Sequence, residues 1–239
     1  MTKSHKTQTM VFLHGWGGRI DSWQNQIQFF ESNGFNCIAM KMPGFDFPEP
    51  PINWGIPEYA EYVINNLPDK DSAYILVGHS FGGRVSVYLA SHHPKIVEKL
   101  VLTDAAGLNL EVHSGRKVLI TFSQLANKVQ ETLPLVKSMR SLLRKLLGSK
   151  NFREASPVMR EVMKTVVNLD LQENLPLIRA KTLIVWGELD KTTPILMANA
   201  FHKGIHGSQL KVVSGAGHAP HRTHTKEWNE IVLHFLKSG

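Results

Sequence analysis

Tyr74-Ile75-Leu76-Val77-Gly78-His79-Ser80-Phe81-Gly82-Gly83 decides how the rest of this chain is read. Residues 74–77 are a short apolar run closed by a glycine, the pattern of a buried strand, and the residues from Gly82 to His92 have helical character. Between them stands Gly78-x-Ser80-x-Gly82. A serine on so tight a strand-to-helix turn is forced into a strained backbone conformation, and only small residues beside it let strand and helix close on each other. The turn lifts the hydroxyl clear of the sheet. The helix behind it starts with N–H groups that lack intrahelical acceptors, so the Phe81 N–H is a candidate donor to negative charge developing on a substrate oxygen.

Working outward, residues 8–13 form a first strand that runs into His14-Gly15-Trp16-Gly17-Gly18. Glycine density directly after a strand means a backbone that turns tightly and lies close to something else. Trp16 supplies a second candidate N–H for the oxygen contacted by Phe81. A phosphate cradle is the competing reading, but neither a G-x-G-x-x-G spacing nor a Walker lysine follows. A helix capped by Asp21 or Ser22 over residues 23–32, a strand over 35–40, a proline-rich surface loop to Pro57, a helix over 58–67 and a strand over 99–103 complete the first half. Strand and helix alternate throughout, which predicts a mostly parallel sheet of about six strands with helices on both faces.

The alternation stops at residue 108. Residues 108–177 show helical periodicity only, and they read as a helical lid inserted into a core domain made of residues 1–107 and 178–239. Within it, residues 135–147 place Leu135, Met139, Leu142, Leu143, Leu146 and Leu147 on one face and Lys137, Arg140, Arg144 and Lys145 on the other. The formal net charge of +7 lies wholly in residues 111–164, where eleven Lys and Arg face four Glu. Such a segment suits an acidic carrier protein or an anionic membrane surface, or simply a lid with its oily face over a pocket and its basic face in water. Nucleic acid is not an expected partner, because no aromatic residues interleave the basic ones. The sheet then resumes with a strand at 182–186, a helix at 194–202, a strand at 209–213 and a closing helix at 226–236.

Composition narrows the class. Charged residues make up 20% and apolar residues 42% of 239, the balance of one ordinary globular catalytic unit, monomer or homodimer. No apolar run reaches a membrane span and the polar residues 1–9 lack the core of a secretion signal, so a cytoplasmic location is expected. A single cysteine, Cys37, falls in an apolar stretch and reads as a buried structural thiol.

In parallel sheets, reacting groups gather beyond the carboxyl ends of the strands. Ser80, Asp190 and His218 each follow a strand, so all three can meet on one edge. His218 can accept the Ser80 proton while Asp190 orients and neutralises the imidazole. Asp104 also follows a strand and is the alternative acid. His218, His221 and His224 are spaced three apart, but no acidic or cysteine ligands accompany them; they read as one base and two surface histidines, with no metal and no cofactor. His14 reads as a hydrogen-bonding support beneath the glycine loop and His79 as a neighbour of the nucleophile. Arg84 is either a structural ion-pairing residue or a recogniser of a substrate carboxylate.

Four pieces in this order, His14-Gly15-Trp16-Gly17-Gly18, Gly78-His79-Ser80-Phe81-Gly82-Gly83, Trp186-Gly187-Glu188-Leu189-Asp190 and Gly215-Ala216-Gly217-His218-Ala219-Pro220, resemble the α/β-hydrolase fold superfamily. The resemblance implies Ser80 as nucleophile, Asp190 as acid, His218 as base, and Trp16 with Phe81 as oxyanion donors. It is strongest to the lidded esterases and the meta-cleavage-product (carbon–carbon bond) hydrolases. Serine at position 80 argues against the dehalogenase and epoxide-hydrolase branches, which need a carboxylate there. The expected activity is hydrolysis of a small or medium hydrophobic ester through an acyl-enzyme. The alternatives are carbon–carbon hydrolysis of a dienoate acid, a thioesterase for a carrier-bound acyl group, and a ligand-binding module on a hydrolase scaffold.

Overall fold

A computed structural model describes residues 7–45, 48–109 and 154–238. Most of the expected lid, including the amphipathic helix expected at 135–147, lies outside the described residues. The sheet has six strands: β1 (Thr9–Leu13), β2 (Asn36–Ala39), β3 (Tyr74–His79), β4 (Val97–Thr103), β5 (Lys181–Gly187) and β6 (Gln209–Val213). Their order is β2-β1-β3-β4-β5-β6, and every pairing is parallel. The strands sit almost where hydrophobic patterning puts them. β2 is the shortest, and it is trimmed at both ends relative to the expected 35–40.

Side-chain alternation along the strands builds two cores. In β1, Val11 and Leu13 face one side with Leu76, Leu102 and Trp186, while Met10 and Phe12 face the other with Ile75, Val77 and Val185. Both faces are dry, so the strands are nearly continuous apolar runs rather than half-polar ones. The first face is covered by α2 (Ile56–Asn65), α3 (Phe81–His92), α4 (Pro157–Asn168) and α5 (Ile195–Gly204) through residues such as Tyr59, Val85, Val162 and Phe201. The second is covered by α1 (Gln24–Ser32) and α7 (Thr225–Lys237), with α6 (Pro220–Thr223) between β6 and α7, through Phe30, Trp228 and Val232. Each such side chain contributes about 1.5–3 kcal/mol on burial. Trp228 also donates its indole N–H to Thr103 Oγ1 at 3.1 Å, so a polar atom at the end of β4 is satisfied inside that core.

Helix ends carry the capping chemistry that the sequence offers. Glu58 accepts from the Gly55 N–H at 2.8 Å at the start of α2, and Ser156 accepts from the Met159 N–H at 3.1 Å at the start of α4. At the other end of α4, buried Arg84 reaches across from α3 and donates to the carbonyl oxygens of Val166 and Leu169, both at 2.5 Å. Burial lowers its pKa to about 10, which still leaves it charged at neutral pH. Arg84 is therefore a brace between α3 and α4. Leu171 N–H to Gly107 O at 2.8 Å adds a second tie at the same place.

Among the described residues no helix is long and apolar enough to cross a membrane. Cys37 is half-buried, and burial first, then Glu31, pushes its thiol up to about 12, which keeps it protonated and unreactive.

Candidate active site

The register of the sheet brings the candidate residues together. Leu13 pairs with Gly78 and His79 with Thr103, so the residues after β1, β3 and β4 emerge side by side at one edge. Ser80 opens α3 at φ 51 and ψ −110, a left-handed region that a side chain rarely adopts. Its strain is held by close packing. A Cβ on Gly78 would strike the Ser86 hydroxyl and lie 2.6 Å from the Gly82 carbonyl oxygen, and a Cβ on Gly83 would lie 2.6 Å from that of Ala105. One on Gly82 would strike the Leu13 carbonyl. Glycine at these three positions is what lets β1, β3, β4 and α3 converge beneath the serine.

The glycine loop after β1 lies directly against the turn. The Gly82 N–H donates to His14 O at 3.1 Å, and a Cβ on Gly15 would come 3.3 Å from that of Ser80. His14 is buried and donates Nδ1–H to Gly15 O at 2.9 Å, the supporting role expected of it. Phe81 occupies the first turn of α3, so its N–H has no acceptor four residues back. The rings of Trp16 and Phe81 meet edge to face at 5.5 Å, with Phe45 5.0 Å from Trp16 and Tyr59 5.0 Å from Phe81. This aromatic cluster adjoins the serine through Phe81, the next residue in the chain. A polar cleft of about 530 Å³ runs outside the glycine loop, lined in part by Gly17, Gly18, Arg19 and Arg222, and Ser80 is not on its wall.

From Ser80 the hydrogen bonds run in line. The Ser80 hydroxyl lies 3.0 Å from His218 Nε2, and His218 Nδ1 lies 2.7 Å from Asp190 Oδ2. An imidazole that gives Nδ1–H to a carboxylate leaves Nε2 bare to accept from a hydroxyl, which is the tautomer a general base requires. Asp190 Oδ1 accepts from the N–H groups of Thr192 (2.7 Å) and Thr193 (3.0 Å), and Oδ2 accepts from the Thr193 hydroxyl (2.5 Å). Burial pushes this carboxyl up, but hydrogen bonds from His218, Thr193 and Asp104 outweigh it and hold the group well below the usual carboxylate range.

Two further histidines stand behind the base. His79 gives Nε2–H to the His218 carbonyl at 2.6 Å, and burial, followed by the neighbouring His218, lowers its pKa to about 3, so it is neutral. It orients the loop that carries His218. His221, expected at the surface, is instead buried, stacked on Trp23 at 4.3 Å and packed 4.6 Å from His79. Burial holds it neutral as well. His218, His221 and His224 do not form a ligand set: among the described residues only Asp104, Asp190 and His218 cluster in a way that would suit a cation, and there His218 is already hydrogen-bonded to Asp190. Thr193 was missed from sequence, although a threonine three residues after an acidic loop residue is the pattern of a turn closed on its own carboxylate.

A family profile for the alpha/beta hydrolase fold matches residues 8–225. The chain belongs to the α/β-hydrolase fold family. It is a hydrolase, and similar members span it nearly end to end. A pimeloyl-[acyl-carrier protein] methyl ester esterase of Hamiltonella defensa subsp. Acyrthosiphon pisum (strain 5AT) is 26% identical over 95% of this chain and 92% of its own length. A 2-hydroxy-6-oxononadienedioate/2-hydroxy-6-oxononatrienedioate hydrolase of Escherichia coli O139:H28 (strain E24377A / ETEC) is 27% identical over 96% of this chain and 87% of its own length. Among solved structures, a hydrolase from Pseudomonas aeruginosa PA01 superimposes with a TM-score of 0.74 at 18% identity, covering 98% of this chain and 92% of that one. At that identity the likeness speaks for the α/β-hydrolase fold alone.

Proposed function

We propose that this α/β-hydrolase cleaves carboxylic esters through an acyl-enzyme on Ser80, with His218 as base, Asp190 as its acid partner, and the Trp16 and Phe81 N–H groups as oxyanion donors. The observation that carries the reading is the line from Ser80 Oγ to His218 Nε2 (3.0 Å) to Asp190 Oδ2 (2.7 Å), starting from a serine at φ 51. Ser80 Oγ attacks the ester carbonyl carbon as its proton passes to His218 Nε2. The carbonyl oxygen takes up the negative charge and is held by the two N–H groups. Collapse expels the alkoxide, which takes the proton from Nε2, and a water deprotonated at the same nitrogen then releases the acid.

An apolar acyl chain suits the aromatic cluster beside Ser80, where half-buried Trp16 and Phe45 pack on Phe81. The relatives that hydrolyse a carrier-bound methyl ester, together with the +7 charge gathered in residues 111–164, favour an acyl chain presented by an acidic carrier protein. Carbon–carbon hydrolysis of a dienoate is the second reading, favoured by relatives of that activity. Against it stands Arg84, which the dienoate reading enlists for a substrate carboxylate but which is spent on the Val166 and Leu169 carbonyls. The domain division into a core and a lid at 108–177 belongs to this proposal too.

Hydrolysis of p-nitrophenyl esters from acetate to dodecanoate tests the reading. Wild type turns over at least one of them, and Ser80→Ala loses about a hundred-thousandfold in kcat while remaining folded. A folded Ser80→Ala variant with wild-type turnover overturns it. A methyl ester on acyl-carrier protein, cleaved faster than the free ester at low salt but not at high salt, would establish the carrier.

A further inference from the structure

A second buried carboxyl stands against the acid of the site. Asp104 follows β4, is fully buried, and sits at φ 43, one of two non-glycine residues with positive φ among those described. Its Oδ1 accepts from the Gly187 N–H at 3.0 Å, and its own N–H goes to Val185 O at 3.2 Å. Oδ2 is buried and meets no donor. Asp104, Asp190 and His218 each bring a polar atom within 4.8 Å of the other two.

Two carboxylates cannot both be ionised at that distance inside a protein, so one of them holds a proton. The distribution of donors decides which. Asp190 receives Thr192 N–H, Thr193 N–H, the Thr193 hydroxyl and His218 Nδ1–H, the full set an anion needs. Asp104 receives one N–H. Resting on the reading of Ser80, His218 and Asp190 given above, we propose that Asp104 is a neutral carboxylic acid whose Oδ2–H donates to the Asp190 carboxylate, making it a positioning residue for the Asp190–His218 pair. Burial foremost, then the bond to Asp190, raises its pKa to about 9, in keeping with that assignment. The charged and titratable groups around it are Asp190 from the loop after β5 and His218 from the loop after β6; behind His218 lie neutral His79 and His221 and the cation of Arg222. The proton does two things. It fixes the rotation of the Asp190 carboxylate so that Oδ2 faces the imidazole, and it keeps the site at one negative charge.

The test compares Asp104→Asn, whose amide can still accept from Gly187 and donate to Asp190, with Asp104→Leu, which can do neither. Asp104→Leu lowers kcat on the ester about tenfold with KM little changed, and Asp104→Asn restores it to within about threefold of wild type with the acid limb of the kcat/KM profile unmoved. If Asp104 carries a charge, Asp104→Asn removes it from beside the base and the acid limb falls by about one pH unit, which overturns the proposal. An infrared difference spectrum of wild type minus Asp104→Asn at neutral pH provides a readout independent of turnover. A protonated-carboxyl C=O band that Asp104→Asn lacks supports the assignment; a carboxylate band in its place refutes it. Should wild type cleave no ester, the functional reading fails while the infrared band still decides where the proton resides.

Discussion

The two halves of the candidate site are held by different physics. On the β3–α3 side, Ser80 is fixed mainly by steric closeness: three glycines let four backbones meet, and the side-chain hydrogen bond within the turn is the Ser86 hydroxyl to Gly82 O at 2.8 Å. On the β5–β6 side, Asp190 and His218 stand on loops and are fixed by hydrogen bonds to Thr192, Thr193 and His79. Contact distance sets the nucleophile, and proton placement sets the acid and base. Substitutions of the glycines on the first side should therefore show up as lost folding, and substitutions on the second as lost rate and altered pH dependence.

Asp190→Asn should give the largest effect that separates the halves. Losing the charge and allowing the wrong imidazole tautomer cuts kcat by about ten-thousandfold, while circular dichroism and Tm stay near wild type. A loss of fold instead would mean that the hydrogen-bonded side also carries the structure. Gly82→Ala is the converse: its Cβ meets the carbonyls of Leu13 and His14, so destabilisation by about 3 kcal/mol is expected in urea unfolding. An Ala variant of wild-type stability would show that the elbow can relax and that closeness is not what holds Ser80.

Asp104→Asn sharpens the comparison through pH. A carboxyl whose folded pKa is raised to about 9 keeps a proton that the unfolded chain releases near pH 4, so its contribution to stability falls as pH rises between those values. The Asn variant should match wild type at pH 4 and exceed it by on the order of 2 kcal/mol near pH 8, measured as the difference in Tm across the range. Asp190 has the opposite sign: its lowered pKa stabilises the fold above pH 4, and that contribution is lost on acidification. Thr193→Val is the smallest change, removing one donor to Asp190 Oδ2 and slowing kcat by about fivefold, or roughly 1 kcal/mol.

The contrast also explains what could be read from sequence. The nucleophile half was legible because glycines at fixed offsets from Ser80 are a local pattern, and so are apolar strands, which gave all six in order. The positions of Asp190 and His218 followed from strand ends. Their surroundings did not. The burial of His221 comes from Trp23, nearly two hundred positions away in the chain, and a histidine between Pro220 and Arg222 carries no local sign of it. Arg84 was ambiguous for the same reason, since its carbonyl acceptors belong to the end of α4. Asp104 could be placed at the right edge as an alternative acid. Only the pairing of β4 with β5 brings it against Asp190 and turns a competitor into a companion.

The strand order has a consequence for how the enzyme is made. The proposed oxyanion donor at residue 16, nucleophile at 80, acid at 190 and base at 218 come from nearly the whole length of the chain, and α7 must cover the face of the sheet behind β1 and β3 before those strands are dry. Synthesis proceeds from the first strand onward, at about 5–20 residues per second. For most of that time the emerging polypeptide holds an exposed serine without a base to activate it. On the proposed reading, hydrolytic power arrives late and all at once, when the segment beyond residue 218 docks, and the ribosome-bound chain is inert until then.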